Sequence, residues 1–188
     1  MLEHWKTIEE FENYEISDIG FIRNKNTQQI LKQRRKKDGY MDIILRKNKK
    51  QHHLYIHRLV ALAFIENPNN VLDIDHIDSN KENNKIENLR FATKSQNNAN
   101  KNIQYNNTTG IKGVSWNKQN KKYSAQISLN NKQYHLGYYD SLEEAGFVYE
   151  FFSLLLFKEF AKITKKFNQY YSKELFEKIK EIIKHFNF

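Results

Sequence analysis

The chain has 188 residues, with 31 Lys+Arg against 22 Asp+Glu, and so a formal net charge of +9 at an isoelectric point near 9.5. It has no cysteine, which excludes disulfides, thiolate zinc sites and cysteine nucleophiles. No apolar run approaches the roughly 20 residues of a membrane-spanning helix and Met1–Glu10 lacks an apolar leader, so an intracellular protein is expected.

The charge is segregated: +4 over residues 1–70, zero over 71–107, +1 over 108–150 and +4 over 151–188. Basic flanks around a neutral, acid-containing island suit a polyanion gripped at both ends, with carboxylates kept in the centre for other work.

In chain order, Trp5–Ile8, Tyr14–Ile16 and Phe21–Arg23 read as short strands, and Tyr40–Leu45 as another after the hairpin signal Asp38-Gly39. The run Lys32-Gln33-Arg34-Arg35-Lys36-Lys37 offers phosphate contacts. His52 and His53 have no spaced acidic partner and read as surface residues. Ile56–Ile65 is a buried helix that stops ahead of Asn67-Pro68, with His57 and Arg58 placed to brace a neighbouring strand or touch a phosphate. Val71–His76 and Asn88–Ala92 are two strands around a polar loop. Thr93-Lys94-Ser95-Gln96 then has the capping-box form that starts a helix near Lys94, giving a ββα unit over residues 71 to about 103.

Farther on, Ile111–Trp116, Lys122–Leu129 and Gln133–Tyr139 alternate with the strand period around polar turns. Ser141 caps a helix with Glu143 and Glu144 in its first turn. A last helix, 173–186, puts Leu175, Ile179, Ile182, Ile183 and Phe186 on one face. The expected fold class is α+β, organised as a β-rich module over 1–55, a ββα centre over 56–106, a three-stranded antiparallel sheet packed on a helix over 107–160, and a helical extension over 161–188.

Asp75 and Asn97 are hard oxygen donors of the kind that hold Mg²⁺ or Mn²⁺, and His76, ordinarily titrating near 6.5, can take a proton from water at neutral pH. With Asn88 nearby, these are the parts of a one-metal phosphodiesterase, although an Asp-His pair beside a loop also serves structural ends. The run His57-Arg58-Leu59-Val60-Ala61, Asp75-His76-Ile77-Asp78, Asn83-Asn84, Glu87-Asn88-Leu89 and Thr93-x-Ser95-x-Asn97 resembles the HNH endonucleases of phages, homing introns and large viruses. That resemblance implies His76 as general base, Asp75 and Asn97 as ligands of one divalent ion, Mg²⁺ or Mn²⁺, and Asn88 as the middle Asn, orienting the loop and His76 by hydrogen bonding. Asn97 stands where many members carry histidine.

Trp5, Tyr14-Glu15-Ile16-Ser17 and Gly20-x-Ile22-Arg23 resemble the small module that often precedes such nucleases. Gly113-Val114-Ser115-Trp116, Tyr123-x-Ala125-x-Ile127, His135-Leu136-Gly137-Tyr138-Tyr139 and Glu143-Glu144-Ala145 resemble the APETALA/ERF DNA-binding domain (AP2/ERF). The latter implies a sheet entering the major groove of double-stranded DNA, with Lys112, Trp116, Lys118, Lys122, Gln126, Ser128 and Tyr134 as candidate contacts; Trp116 reads equally as a core aromatic. No arginine lies between Gly110 and Glu150, so the family's G·C preference is not carried over. Arg34, Arg35, Lys36, Lys37 and Arg58 complete the candidate DNA contacts. The expected function is a metal-dependent, homing-type HNH endonuclease cutting a selected duplex site. The alternative is a non-catalytic DNA-binding or transcription regulator with a decayed centre. RNA is disfavoured, since A-form helices hide the major groove from a sheet. No protein partner or oligomeric state follows.

Overall fold

The computed structural model describes residues 3–163 and 173–184. These fall into two compact units, 1–93 and 94–188.

In the first unit, β1 (Trp5–Ile8), β2 (Phe11–Ser17) and β3 (Ile22–Asn24) form an antiparallel sheet in that order, its second turn closed by Gly20 at φ +91°. A second sheet joins β4 (Arg34–Arg35), β5 (Met41–Lys47) and β6 (Lys50–Tyr55). The strand β6 was not predicted. Its hairpin turns through Asn48 and Lys49, with φ of 52° and 63°, so two non-glycine residues occupy the left-handed region that the sequence signal normally marks with glycine. Pairing Ile44 with His53 brings His53 Nδ1 to 3.7 Å from Asp42 Oδ2, so the partner that seemed missing in sequence is supplied across the strands; His52 lies edge-on to Phe11. The helix α1 (Ile56–Phe64) buries Ile56, His57, Leu59, Val60 and Ala61. Ile8, Phe11, Ile16, Ile22, Ile43 and Leu45 share one apolar core with α1 and with Ile74 and Leu89, at roughly 1.5–3 kcal/mol per large side chain buried. The last hairpin, β7 (Asp73–His76) and β8 (Leu89–Ala92), encloses the polar loop, which ends in a 3₁₀ turn at Ile86–Asn88.

The second unit begins with α2 (Lys94–Asn100), starting where the capping signal placed it. The sheet has β10 (Lys122–Leu129) between β9 (Val114–Asn117) and β11 (Lys132–Tyr139). Against it packs α3 (Leu142–Phe157), whose Ser141 cap accepts from the Glu144 backbone N–H at 3.1 Å. Val114, Ala125, Ile127, Leu136, Tyr139, Val148, Tyr149 and Phe152 form the interior. Gly113, at φ +70°, is required here because a Cβ would overlap the Tyr149 ring and reach 2.6 Å from the Gln126 carbonyl oxygen. The final helix α4 (Lys173–Lys184) buries Leu175 and Ile179 and half-buries Ile182 and Ile183; Phe186 lies outside the described residues.

Candidate active site and nucleic-acid surface

The register of β7 and β8 sets Asp75 opposite Arg90 and His76 opposite Leu89, so the two consecutive residues leave the strand on opposite faces. Both are buried. Arg90 Nε and Nη2 donate to Asp75 Oδ2 at 3.0 and 2.9 Å, a pairing that the hairpin register alone could have revealed.

His76 Nε2 lies 3.2 Å from Asn84 Oδ1. A carbonyl oxygen only accepts, so Nε2 carries the proton and Nδ1 is the basic nitrogen. Around this imidazole stand Tyr40 and His57, with ring centroids 5.9 and 5.2 Å away, and Tyr55 lies 5.5 Å beyond His57. Burial pushes His57 down to about 3, and it pushes His76 down as well against the opposing Asn84 hydrogen bond. His76 is therefore neutral at pH 7, the state a proton acceptor needs. The buried Nδ1 of His57 has no hydrogen-bond partner among the described residues.

Asn88 ties the loop together. Its Oδ1 accepts from the Asp78 backbone N–H at 3.0 Å, and its Nδ2 donates to Asp78 Oδ1 at 2.9 Å and to the Asn83 carbonyl at 2.8 Å. Burial works to raise the Asp78 carboxyl, but hydrogen bonds from the Asn83 side chain, the Asn80 backbone and Asn88 prevail and hold it below the usual range. The His76 Nε2–H bond ends on Asn84, a residue the sequence shows only as part of the Asn83-Asn84 pair, with no role of its own. The N-terminal strands back this loop. Ile86 N–H donates to the Asp18 carbonyl at 2.7 Å, Lys81 Nζ donates to the Asp38 carbonyl at 2.8 Å, and a Cβ on Gly20 would come within 3.1 Å of Asn84 Cβ.

The basic run is engaged internally more than its sequence suggests. Arg34 donates to both oxygens of the buried Asp42, Arg35 pairs with Glu82 at the surface, and Lys36 donates to the Tyr55 hydroxyl at 2.7 Å. Arg58 Nη2 donates to the Leu72 carbonyl at 3.1 Å, the bracing alternative among its expected roles.

In the second unit, Lys112 is a correction. Its Nζ donates to the carbonyls of Asn98, Ala99 and Lys101 at 2.8, 2.6 and 2.9 Å, closing the end of α2, and burial pushes it down to about 8. A lysine spent on three carbonyls is a structural tie rather than a phosphate contact. The sheet candidates also divide between two faces. Trp116 pairs with Tyr123 and Tyr134 with Ile127, which places both on the helix-packed side, whereas Lys122, Gln126 and Ser128 alternate onto the outer face. A bulge at Ala125/Gln126 leaves Leu136 unpaired in β11 and keeps His135 and Tyr138 on that outer face. Lys118 lies in the β9–β10 turn, and Lys122 pairs with Asp140 at 3.0 Å. Asn97 lies in α2, half-buried.

Among the described residues, no three His, Asp or Glu side chains gather as a metal cluster. A hard cation such as Mg²⁺ does not require one, since it commonly takes one or two protein oxygens and completes its shell with water and phosphate. The Asp75 carboxylate has the donor chemistry for such an ion, and so, within its own unit, has the Asn97 amide oxygen. The Arg90 Nε and Nη2 bonds fall on Oδ2 of Asp75, which a metal would share or contest.

Residues 3–46 match the NUMOD4 motif and residues 54–99 the HNH endonuclease family. An uncharacterized HNH endonuclease of Acanthamoeba polyphaga mimivirus is 41% identical over 90 residues, 48% of this chain and 27% of that protein. The DNA endonuclease I-HmuI of Bacillus phage SP01 is 40% identical over 90 residues, 47% of this chain and 52% of its own length. A solved structure titled "DNA binding and cleavage by the HNH homing endonuclease I-HmuI" is 39% identical, covers 52% of this chain and 56% of the other, and gives a TM-score of 0.49. The chain thus spans about half or less of these relatives. The matched segments are similar to a NUMOD4 motif followed by an HNH endonuclease unit.

Proposed function

We propose that the chain is a metal-dependent, homing-type HNH endonuclease that hydrolyses phosphodiester bonds at a selected site in double-stranded DNA inside its host. The observation that carries this reading is His76: a buried, neutral imidazole engaged through Nε2, beside an acid, within a segment that matches the HNH family. The phage relative is named a DNA endonuclease, which supports DNA as substrate.

In this mechanism His76 Nδ1 accepts the proton of a water whose oxygen bonds to the scissile phosphorus as the bond to the leaving oxygen breaks. Asn84 holds the imidazole in the tautomer that presents Nδ1. Arg90 fixes the Asp75 carboxylate, and Asn88 fixes the loop on which Asn84 stands. Asp75 and Asn97 would hold Mg²⁺ or Mn²⁺, which supplies charge stabilisation at the phosphate and the departing oxygen when bound. The second unit supplies recognition in the manner of an APETALA/ERF sheet, through Lys118 and the outward Lys122, Gln126 and Ser128. Arg35 and Lys37 in the first unit add phosphate contacts.

The Asp75–Arg90 pair also suits the rival reading, a DNA-binding regulator whose centre no longer cuts, because an arginine can satisfy that carboxylate without a metal. Incubation of the full chain with supercoiled plasmid and a degenerate duplex library separates the two. Nicked or linear product with Mg²⁺ or Mn²⁺ and none in EDTA is expected. Cleavage that persists in EDTA overturns the metal assignment, and binding without cleavage in either metal favours the regulator.

A further inference from the structure

The outer face of the β9–β11 sheet carries an ordered amide ladder. Gln133 Nε2 donates to Gln126 Oε1 at 2.5 Å, Gln126 Nε2 donates to Ser124 Oγ at 3.3 Å, and His135 Nε2 lies 3.2 Å from the same hydroxyl. Gln126 stands opposite His135 and Ser128 opposite Gln133, so the Gln126–Gln133 bond runs diagonally across two strands on one face. The ladder ties the Gln133 carboxamide to that of Gln126 and, through it, to the Ser124 hydroxyl. Gln133 is exposed, and the bond to Gln126 uses one hydrogen of its Nε2, leaving its Oε1 and the second hydrogen for a ligand. Beside it the His135 and Tyr138 rings lie 4.4 Å apart, with Tyr138 42% exposed.

The surroundings are those of a polyanion surface. Lys118, Lys121 and Lys122 stand at one end of β10 and Lys132 beyond the other, against a single acid, Asp140, between residues 110 and 140. The second unit contains no arginine at all. Guanine offers two acceptors to the major groove and is read by Arg or Lys, whereas adenine offers an acceptor and a donor side by side, the complement of a carboxamide; thymine adds a methyl group that an apolar ring edge can meet.

We propose that Gln133, held in orientation by Gln126, is a base-reading residue, and that this face with Tyr138 selects A·T pairs in the major groove of duplex DNA. The inference rests on reading the second unit as the DNA-recognition part of the proposed nuclease.

The test is selection from a degenerate duplex library by the full chain in EDTA, with sequencing of the retained DNA. An A·T-enriched block is expected. Gln133→Ala should lower the enrichment at one position by about tenfold or more while leaving affinity for bulk DNA within about twofold, and Gln133→Arg should move that position toward guanine. A G·C-enriched block, or A·T enrichment that survives Gln133→Ala, overturns the proposal. Paired Lys118→Gln and Lys132→Gln substitutions separate the two levels. Unchanged affinity and salt dependence would mean that the sheet does not meet DNA, and both readings fall. Weakened affinity with a base preference indifferent to Gln133 removes only the A·T assignment. Circular dichroism of each variant confirms that the fold is retained.

Discussion

The His76 site of the first unit and the outer sheet face of the second use polar side chains in opposite ways. The first buries them: Asp75, His76, His57, Asn84, Asn88 and Asp42 are all withdrawn from solvent. The outer sheet face of the second instead displays Gln126, Ser128, Gln133 and Tyr138 over an interior of Val114, Ala125, Ile127, Val148 and Phe152. Burial costs a polar group its water and must be offset by fixed partners, so a buried cluster is held in one geometry, as a reacting centre requires. An exposed face keeps its polar groups hydrated and able to exchange water for a ligand. The placement of arginine agrees with this division, since all six lie in the first unit, where Arg90 and Arg34 each neutralise a buried carboxylate.

The largest effects should come from breaking buried partnerships. Arg90→Ala leaves Asp75 buried without its cation, and a loss of about 3–5 kcal/mol of first-unit stability is expected in chemical denaturation. Arg35→Ala, which opens the exposed pair with Glu82, should cost under about 1 kcal/mol; equal losses would dissolve the contrast. In the second unit, Gly113→Ala forces a methyl into Tyr149 at positive φ and should cost about 3 kcal/mol or more. Gly110→Ala has a similar φ and nothing within 4 Å of the new Cβ, so it should cost only about 1 kcal/mol.

Acid provides a graded test of the first unit. His57 titrates near 3 when folded and near 6.5 when unfolded, so below pH 6.5 the unfolded chain binds a proton that the folded chain refuses. Its contribution to stability is intact above pH 6.5 and is lost at about 1.4 kcal/mol per pH unit as the pH falls toward 3. Replacing the ring by His57→Phe should flatten this slope, with the smaller contribution of His76 remaining. An unchanged slope would mean that His57 is not the group responsible.

The smallest effects concern phosphate contacts. Lys37→Gln should reduce the slope of log affinity against log salt by about 0.9 if it meets one phosphate. Arg34→Gln should act mainly through stability, because Arg34 is committed to Asp42. A larger salt effect for Arg34 than for Lys37 would reverse that assignment.

Much of this was legible in the sequence where a residue's neighbours are close along the chain. The α1 span, the Ser141 cap, the start of α2 and the β10–β11 hairpin follow from periodicity, capping and turn chemistry. So does the opposed pointing of Asp75 and His76. What was hidden depends on register across strands. The β6 strand vanished because Asn48 and Lys49 turn without glycine. His53 acquired Asp42 only when β5 met β6, and the β10–β11 bulge decided which of Trp116, Gln126 and Tyr134 share a face. Asn84 and Lys112 were hidden for another reason: an asparagine inside a polar run and a lysine inside a basic chain look generic until their hydrogen-bond partners are placed.

Single-turnover cleavage with protein in excess over a bound duplex tests the central claim most directly, because saturation removes differences in affinity from the rate. With Mg²⁺ or Mn²⁺ present, His76→Ala should lose at least about a hundredfold in cleavage rate while its DNA affinity stays within a few fold of the unaltered chain, as expected for removal of a general base. A variant that cuts within a few fold of the unaltered chain would contradict the assignment of His76 and the reading of the first unit as the reacting centre.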